Sequence, residues 1–188
     1  EIDYSSIHFN MLYQDLKAPI PDEMRGGKFD SSGLFDPYDL QSYNPQWQGD
    51  EIHDNRNIVK LAMNIMLNSE TKEKAIGVLK SDKDNFPKIP AGYKTWKDFA
   101  EHIIEKHQPI AHKFNSGEGL YYQFKDSQVA AVVMTRMKDE HNTIALPVHD
   151  SFCCIAHKSE QLYQEMVKAI KEQGYSMPMS LGAEFQPK

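Results

Sequence analysis

Leu146-Pro147-Val148-His149-Asp150-Ser151-Phe152 is the stretch whose reading decides the fold. Upstream it continues a strand-like run, Thr143-Ile144-Ala145-Leu146-Pro147-Val148-His149, and downstream it enters a second, Phe152-Cys153-Cys154-Ile155-Ala156. Two short apolar runs separated by a polar pair predict a β-hairpin with its turn at Asp150-Ser151. An aspartate at such a tip is ordinarily a turn former whose carboxylate bonds nearby backbone amides. It takes on another meaning if a second carboxylate is brought beside it. The candidate is Asp3, at the end of a short strand over Ile2 to Tyr4. Asp3 and Asp150 are 147 positions apart, so only a sheet that sets the two strands side by side can unite them.

Working outward, a helix is predicted from Ser159 to about Glu172, followed by a last strand over Met177 to Leu181. Before the hairpin runs a helix from Leu120 to about Lys138, with Val129, Val132, Val133 and Met137 on its buried side and Gly117 and Gly119 breaking the chain ahead of it. At the other end, Ser5 or Ser6 caps a helix whose apolar residues Ile7, Met11, Leu12 and Leu16 keep a helical period. Residues 18–50 form a long irregular excursion rich in Pro, Gly, Asp and Ser, with turns at Ala18-Pro19-Ile20-Pro21 and Phe35-Asp36-Pro37-Tyr38. Asp50 or Asp54 opens a strong helix to about Leu67, and Ser69-Glu70-Thr71 caps another to about Lys80. Residues 83–93 are a Pro-containing connector, and Thr95 caps a helix through about Lys106, with Pro109 near its end. This order implies an α+β plan, an antiparallel sheet covered on one side by helices.

Composition narrows the class. The chain has 188 residues, 40% hydrophobic and 26% charged, as expected of a soluble globular domain. No apolar run approaches the ~20 residues that span a bilayer, which predicts no membrane partner. Its two cysteines, Cys153 and Cys154, are adjacent, so a disulfide framework is not expected and a reducing, cytoplasmic setting is. No signal peptide opens the chain, and its start on strand-type residues is the expectation for a piece of something longer. The net charge of −6 is concentrated in residues 1–50, with three basic against nine acidic side chains. Residues 51–140 carry 14 against 13 and residues 141–188 four against five. A stand-alone nucleic-acid binder carries a basic excess. Any nucleic-acid role here must rest on a local basic stripe, on metal ions or on further segments.

The helix after position 50 holds such a stripe. Arg56, Lys60, Asn64 and Asn68 recur every four residues along one face, opposite Ile58, Leu61, Ala62, Ile65 and Met66, which are expected to be buried. Periodicity alone reads this as an amphipathic surface helix with a solvated polar face. His102, His107 and His112 are spaced by five, which scatters them around a helix and does not aim them at one metal. Cys153 and Cys154 read as small near-core residues.

Three segments together resemble the nucleotidyl-transfer core of family A DNA polymerases and of the single-subunit phage-type RNA polymerases. Asp3-Tyr4-Ser5-Ser6-Ile7 is similar to motif A, Arg56-Asn57-Ile58-Val59-Lys60 to motif B, and Val148-His149-Asp150-Ser151-Phe152 to motif C, in the family's order. The likeness covers nearly the whole chain. It implies a palm from residues 1–17 and 117–188, an antiparallel sheet with helices on one face, and a helical fingers-like insertion from 18–116. It implies template-dependent nucleotidyl transfer from dNTPs or NTPs onto a primed nucleic acid, in a nucleoid or phage-replication setting. The chemistry would use two Mg²⁺ (or Mn²⁺) ions held by Asp3, Asp150 and the Tyr4 carbonyl. Arg56 and Lys60 would bind the β- and γ-phosphates, Lys60 also giving a proton to the pyrophosphate, and His149 would stand by the primer 3′ end. The segment from Gln123 to Ala130 reads first as the start of a helix, and under the resemblance it could touch template or minor groove. A thumb or N-terminal domain of the same protein is implied as a partner.

The chain departs from the family at informative positions. Ser151 follows the motif C aspartate where DNA-synthesising members carry Glu, and His8 stands at the Glu of the sugar gate. Asn64 and Asn68 occupy places usually aromatic or Met, which leaves deoxy versus ribo substrate open. Two other readings stay open: a non-catalytic polymerase-like module that binds nucleic acid or a replication partner, and a metal phosphodiesterase using the same two carboxylates.

Overall fold

The computed structural model describes residues 1–21, 24, 36–39, 47, 51–176 and 179–181, with 51–54, 180 and 181 described as backbone only. Most of the 18–50 excursion, and the expected start of the last strand at Met177, lie outside the described residues.

The protein is an α+β fold. Strand β1 (Ile2–Tyr4) leads into helix α1 (Ile7–Asp15), and after the excursion come α2 (Glu51–Asn68), α3 (Lys72–Ser81) and α4 (Trp96–Lys106). A short 3-10 helix over Gln108–Lys113 leads to α5 (Gly119–Asp139), then β2 (Leu146–Val148), β3 (Ser151–Cys153), α6 (Ser159–Glu172) and β4 (Met179–Leu181). The four strands form one antiparallel sheet in the order β2-β3-β1-β4, so the two ends of the chain build it together.

Side chains alternate across the sheet, which decides what faces where. Ile2 and Tyr4 point to one face and are fully buried, and the Tyr4 hydroxyl donates to the Met166 carbonyl of α6 at 2.7 Å. Phe152, opposite Ile2, is buried on that face and meets the Tyr4 ring edge-on. Asp3, between Ile2 and Tyr4, points to the other face.

The helices start where their caps lie. Thr71 accepts the Lys74 amide at the head of α3, and Thr95 and Asp98 form a reciprocal capping box on α4. Ser6 does stand at the N-cap of α1, but it is left-handed (φ 51°, ψ 43°) and its hydroxyl does not cap; the Asn10 side chain instead donates back to the Ser5 and Ser6 carbonyls. Pro109 sits inside the 3-10 helix that continues α4, in its first turn, where a missing N–H costs nothing.

Two expectations are corrected. The turn residues are His149 and Asp150, with Val148 paired to Ser151, so the hairpin turns one residue earlier than Asp150-Ser151 and its strands are shorter. The turn position is held by Ser151, whose Oγ lies 2.6 Å from Glu1 Oε1 and 2.9 Å from the Val148 carbonyl, its one proton shared between these two acceptors. The buried stripe of α2 is Val59, Ala62, Met63, Met66 and Leu67, with Leu61 37% exposed and Ile58 and Ile65 half-buried. Helices α3, α4 and α5 all pack on α2 and select that face. Among the described residues no helix is long and apolar enough to cross a membrane.

Candidate functional site

Burial of Ile2 and Phe152 fixes the β1–β3 register, and that register places Asp3 opposite Ser151. One step on, the Tyr4 amide donates to the Asp150 carbonyl at 3.0 Å. The two aspartates therefore sit at neighbouring strand ends although 147 positions separate them in sequence. The two-residue turn holds His149 in the left-handed region at φ 55°, a conformation that costs a residue with a Cβ about 1–2 kcal/mol. Such strain persists where the surrounding structure over-determines it, and both Ser6 and His149 carry it at the edge of one cleft.

That cleft has a volume of about 550 Å³. The hairpin gives it His149 and Asp150, the start of α1 gives Ser6, Ile7 and His8, and α2 gives Lys60, Leu61 and Asn64. Gln123 and Asp126 of α5 and Tyr38 complete it. Five of the residues expected to meet substrate or metal, namely Asp150, His149, His8, Lys60 and Asn64, thus line a single space. Lys60 is the exposed cation among the described lining residues. The His8 Nε2 lies 3.6 Å from the Asp126 carboxylate across it.

Asp3 is half-buried beside the cleft and is not among its lining residues, although Ser6, Ile7 and His8 just after it are. Tyr4 is buried under the sheet, and burial, reinforced by Asp126, holds its phenol proton far above the usual range.

Arg56 and Asn68 do not line the cleft. The Arg56 guanidinium makes a two-pronged bond to Asp36, Nε to Oδ2 at 3.0 Å and Nη2 to Oδ1 at 3.1 Å, and lies 5.4 Å over the Tyr38 ring. Asp36 is itself buried and also accepts the Tyr38 amide at 2.9 Å, so one carboxylate organises the Asp36-Pro37-Tyr38 turn. Asn68 closes the end of α2: its amide donates to the Asn64 carbonyl and accepts from Gln123. Gly119 lies so close that a Cβ there would fall 2.1 Å from Asn68 Oδ1, which explains the glycine at position 119.

The same turn is anchored from behind by His107. Its Nε2–H donates to the Pro37 carbonyl at 3.1 Å, leaving Nδ1 to accept the Tyr13 hydroxyl at 2.8 Å. The imidazole is fully buried, and burial pushes its pKa down to about 3 against a partial offset from the Pro37 bond. Tyr38, buried above it, keeps its phenol proton well beyond the ordinary range, mainly through burial, with the Ser6 hydroxyl bond pulling the other way.

Six lining residues, Ser6, Ile7, Tyr38, Leu61, Gln123 and Asp126, were not singled out as site residues, and two of them bring polar groups of note. Tyr38 was legible only as part of a Pro turn, and Asp126 only as a member of the segment 123–130.

A separate metal-type cluster occurs at the far end of α5. Glu140, His141 and Glu165 bring ligand atoms within 4.8 Å of one another and could hold a cation. Glu165 is buried and already accepts from Lys168 at 2.7 Å and His141 at 3.3 Å, with Arg136 3.7 Å away. Burial raises its carboxyl pKa, but the Lys168 and His141 hydrogen bonds outweigh that and the net shift is downward.

The chain matches no protein-family model, no curated protein and no solved structure.

Proposed function

We propose that the cleft is the active site of a template-dependent nucleotidyltransferase of the polymerase palm-and-fingers type. The observation that carries the reading is the meeting of Asp3 and Asp150 at neighbouring strand ends, with Asp150 lining the same cleft as Lys60 and Asp3 beside it. The sheet with β1, the hairpin, α5 and α6 would act as palm, and α2 to α4 as fingers. The donors at the strand ends, two carboxylates and the Tyr4 carbonyl, are hard oxygens of the kind Mg²⁺ and Mn²⁺ take, so these residues fit a pair of such ions. When bound, two divalent ions stabilise both the attacking and the leaving oxygen of a phosphoryl transfer.

The protein's own residues have the following work in this reading. Asp3 and Asp150 would hold the ions, beside the place where the primer 3′-hydroxyl and the α-phosphate of a dNTP or NTP would meet. Lys60 neutralises the triphosphate and passes a proton to the departing pyrophosphate. His149, fixed by its strained turn, contacts the primer end. His8 and Asn64 border the sugar and base, and Asn68 acts through Gln123 at the template side. Arg56 reaches the triphosphate by exchanging the Asp36 carboxylate for phosphate oxygens, which offer the same two-pronged geometry. That capture by Asp36 is also the observation favouring a second reading, a polymerase-like module that binds nucleic acid or a replication partner without turnover.

Titration with a fluorescent nucleoside triphosphate in the presence of Mg²⁺ tests the site. Lys60→Ala is expected to weaken binding about tenfold or more, and Asp150→Ala to abolish its metal dependence. Triphosphate binding that is indifferent to both substitutions contradicts the proposal.

A further inference from the structure

Where α5 ends against α6, Glu140 and His141 of the turn meet Glu165 of α6, and none of the three lines the cleft. The turn that carries the first two is fixed by its own backbone. Asn142 is left-handed at φ 48°, and the Thr143 amide donates to the Met137 carbonyl at 3.0 Å.

Glu165 is the informative member. It is 1% exposed, and a carboxylate buried that deeply needs partners for both of its oxygens. Oε1 has them, with Lys168 Nζ at 2.7 Å and His141 Nε2 at 3.3 Å. Oε2 is buried and makes no hydrogen bond to any described residue. Arg136 Nη1 stands 3.7 Å from it, beyond hydrogen-bond reach, and is itself buried and unbonded among the described residues. Glu172 holds the guanidinium in that position, its two oxygens accepting from Nη2 at 3.0 and 2.7 Å. A deeply buried carboxylate therefore keeps one oxygen without a donor inside a cluster of metal-type ligands.

We infer that Glu140, His141 and Glu165 bind a divalent ion of the Zn²⁺ class, at a site distinct from the paired aspartates, and that the ion ties the turn after α5 to α6. One imidazole nitrogen and two carboxylate oxygens are donors that zinc accepts, with water in the fourth position. The imidazole favours Zn²⁺ over Mg²⁺, whose shell is oxygen. Donor atoms ~2.1 Å from a tetrahedral ion stand about 3.4 Å apart, and His141 Nε2 and Glu165 Oε1 are already 3.3 Å apart. The three ligand atoms lie within 4.8 Å of one another, and Glu140 is exposed, so its side chain can close the remaining gap. Charge agrees. The Lys168 side chain is 57% exposed and can swing into solvent when the ion takes its place on Glu165. Arg136 and a divalent ion then balance the three carboxylates Glu140, Glu165 and Glu172.

Calorimetric titration of chelator-treated protein with Zn²⁺ tests this, beside His141→Ala, Glu140→Gln and Asp150→Ala, with Co²⁺ as an optical probe. The wild type is expected to bind Zn²⁺ with a Kd of about 10 μM or tighter. His141→Ala and Glu140→Gln should each weaken that binding about tenfold or more, and Asp150→Ala should leave it within about twofold. Zn²⁺ should raise the melting temperature of the wild type and of Asp150→Ala but not of His141→Ala. Co²⁺ should give visible absorption bands that His141→Ala removes. Were His141→Ala unable to fold, Glu140→Gln, at an exposed position, must show the same losses. No Zn²⁺ binding up to about 1 mM means that Arg136 alone serves Glu165 and overturns the inference. Binding that survives both ligand variants, or that is lost in Asp150→Ala, overturns it as well.

Discussion

Lowering the pH from 7 to 5 should cost this protein about 2 kcal/mol of stability through one side chain, His107. The imidazole is buried between Tyr13 and the Pro37 carbonyl with a pKa pushed down to about 3 from an ordinary 6.5. In the folded protein it stays neutral throughout that interval, whereas in the unfolded chain it takes up a proton below pH 6.5. The unfolded state therefore binds more protons, so the contribution is fully present above pH 6.5 and is lost progressively as the pH falls toward 3. At pH 5 the unfolded imidazole is nearly all charged, and the linkage is worth about 1.4 kcal/mol for each of roughly one and a half pH units. Urea denaturation followed by circular dichroism at the two pH values measures it, with His107→Gln as reference. The variant should start about 1–3 kcal/mol less stable because the Tyr13 and Pro37 partners are poorly served, but it should lose about 2 kcal/mol less between pH 7 and 5. An equal loss in wild type and variant refutes the reasoning.

Arg56→Ala should destabilise by about 3–5 kcal/mol, because it strands the buried Asp36 carboxylate, and Asp36→Asn in the same chain should recover part of that loss in a thermal melt. His149→Gly should leave stability unchanged or raise it by up to ~1 kcal/mol, since glycine accepts φ 55° freely, while nucleotide incorporation falls. Gly119→Ala should displace Asn68 and cost about 1 kcal/mol through its lost bonds to Asn64 and Gln123, read by denaturant midpoint.

The parts of the fold written in local chemistry were legible from sequence. Thr71 and Thr95 sit at the caps their spacing predicts, and α6 spans Ser159–Glu172 as its apolar period requires. Pairing of the Asp3 strand with the hairpin followed from asking what could unite two distant carboxylates. The turn was misplaced by one residue because its left-handed position is His149, a residue that carries none of the Gly or Asn signal of such turns. The buried face of α2 was misread for another reason. Apolar residues occupy 58, 59, 61, 62, 63 and 65–67, more than one stripe's worth, so only its neighbours choose between faces. The capture of Arg56 by Asp36 and the burial of His107 against Pro37 join residues 20 and 70 positions apart, and no local pattern announces either.

Primer extension tests the central claim most directly. The protein is incubated with a primed DNA template and Mg²⁺ or Mn²⁺, with dNTPs and NTPs in separate reactions, beside Asp3→Ala and Asp150→Ala. Template-directed extension by the wild type, dependent on divalent metal and lost in both variants, is the result the paired aspartates predict. Extension that survives either substitution, or none from a wild type that still binds metal and triphosphate, contradicts it.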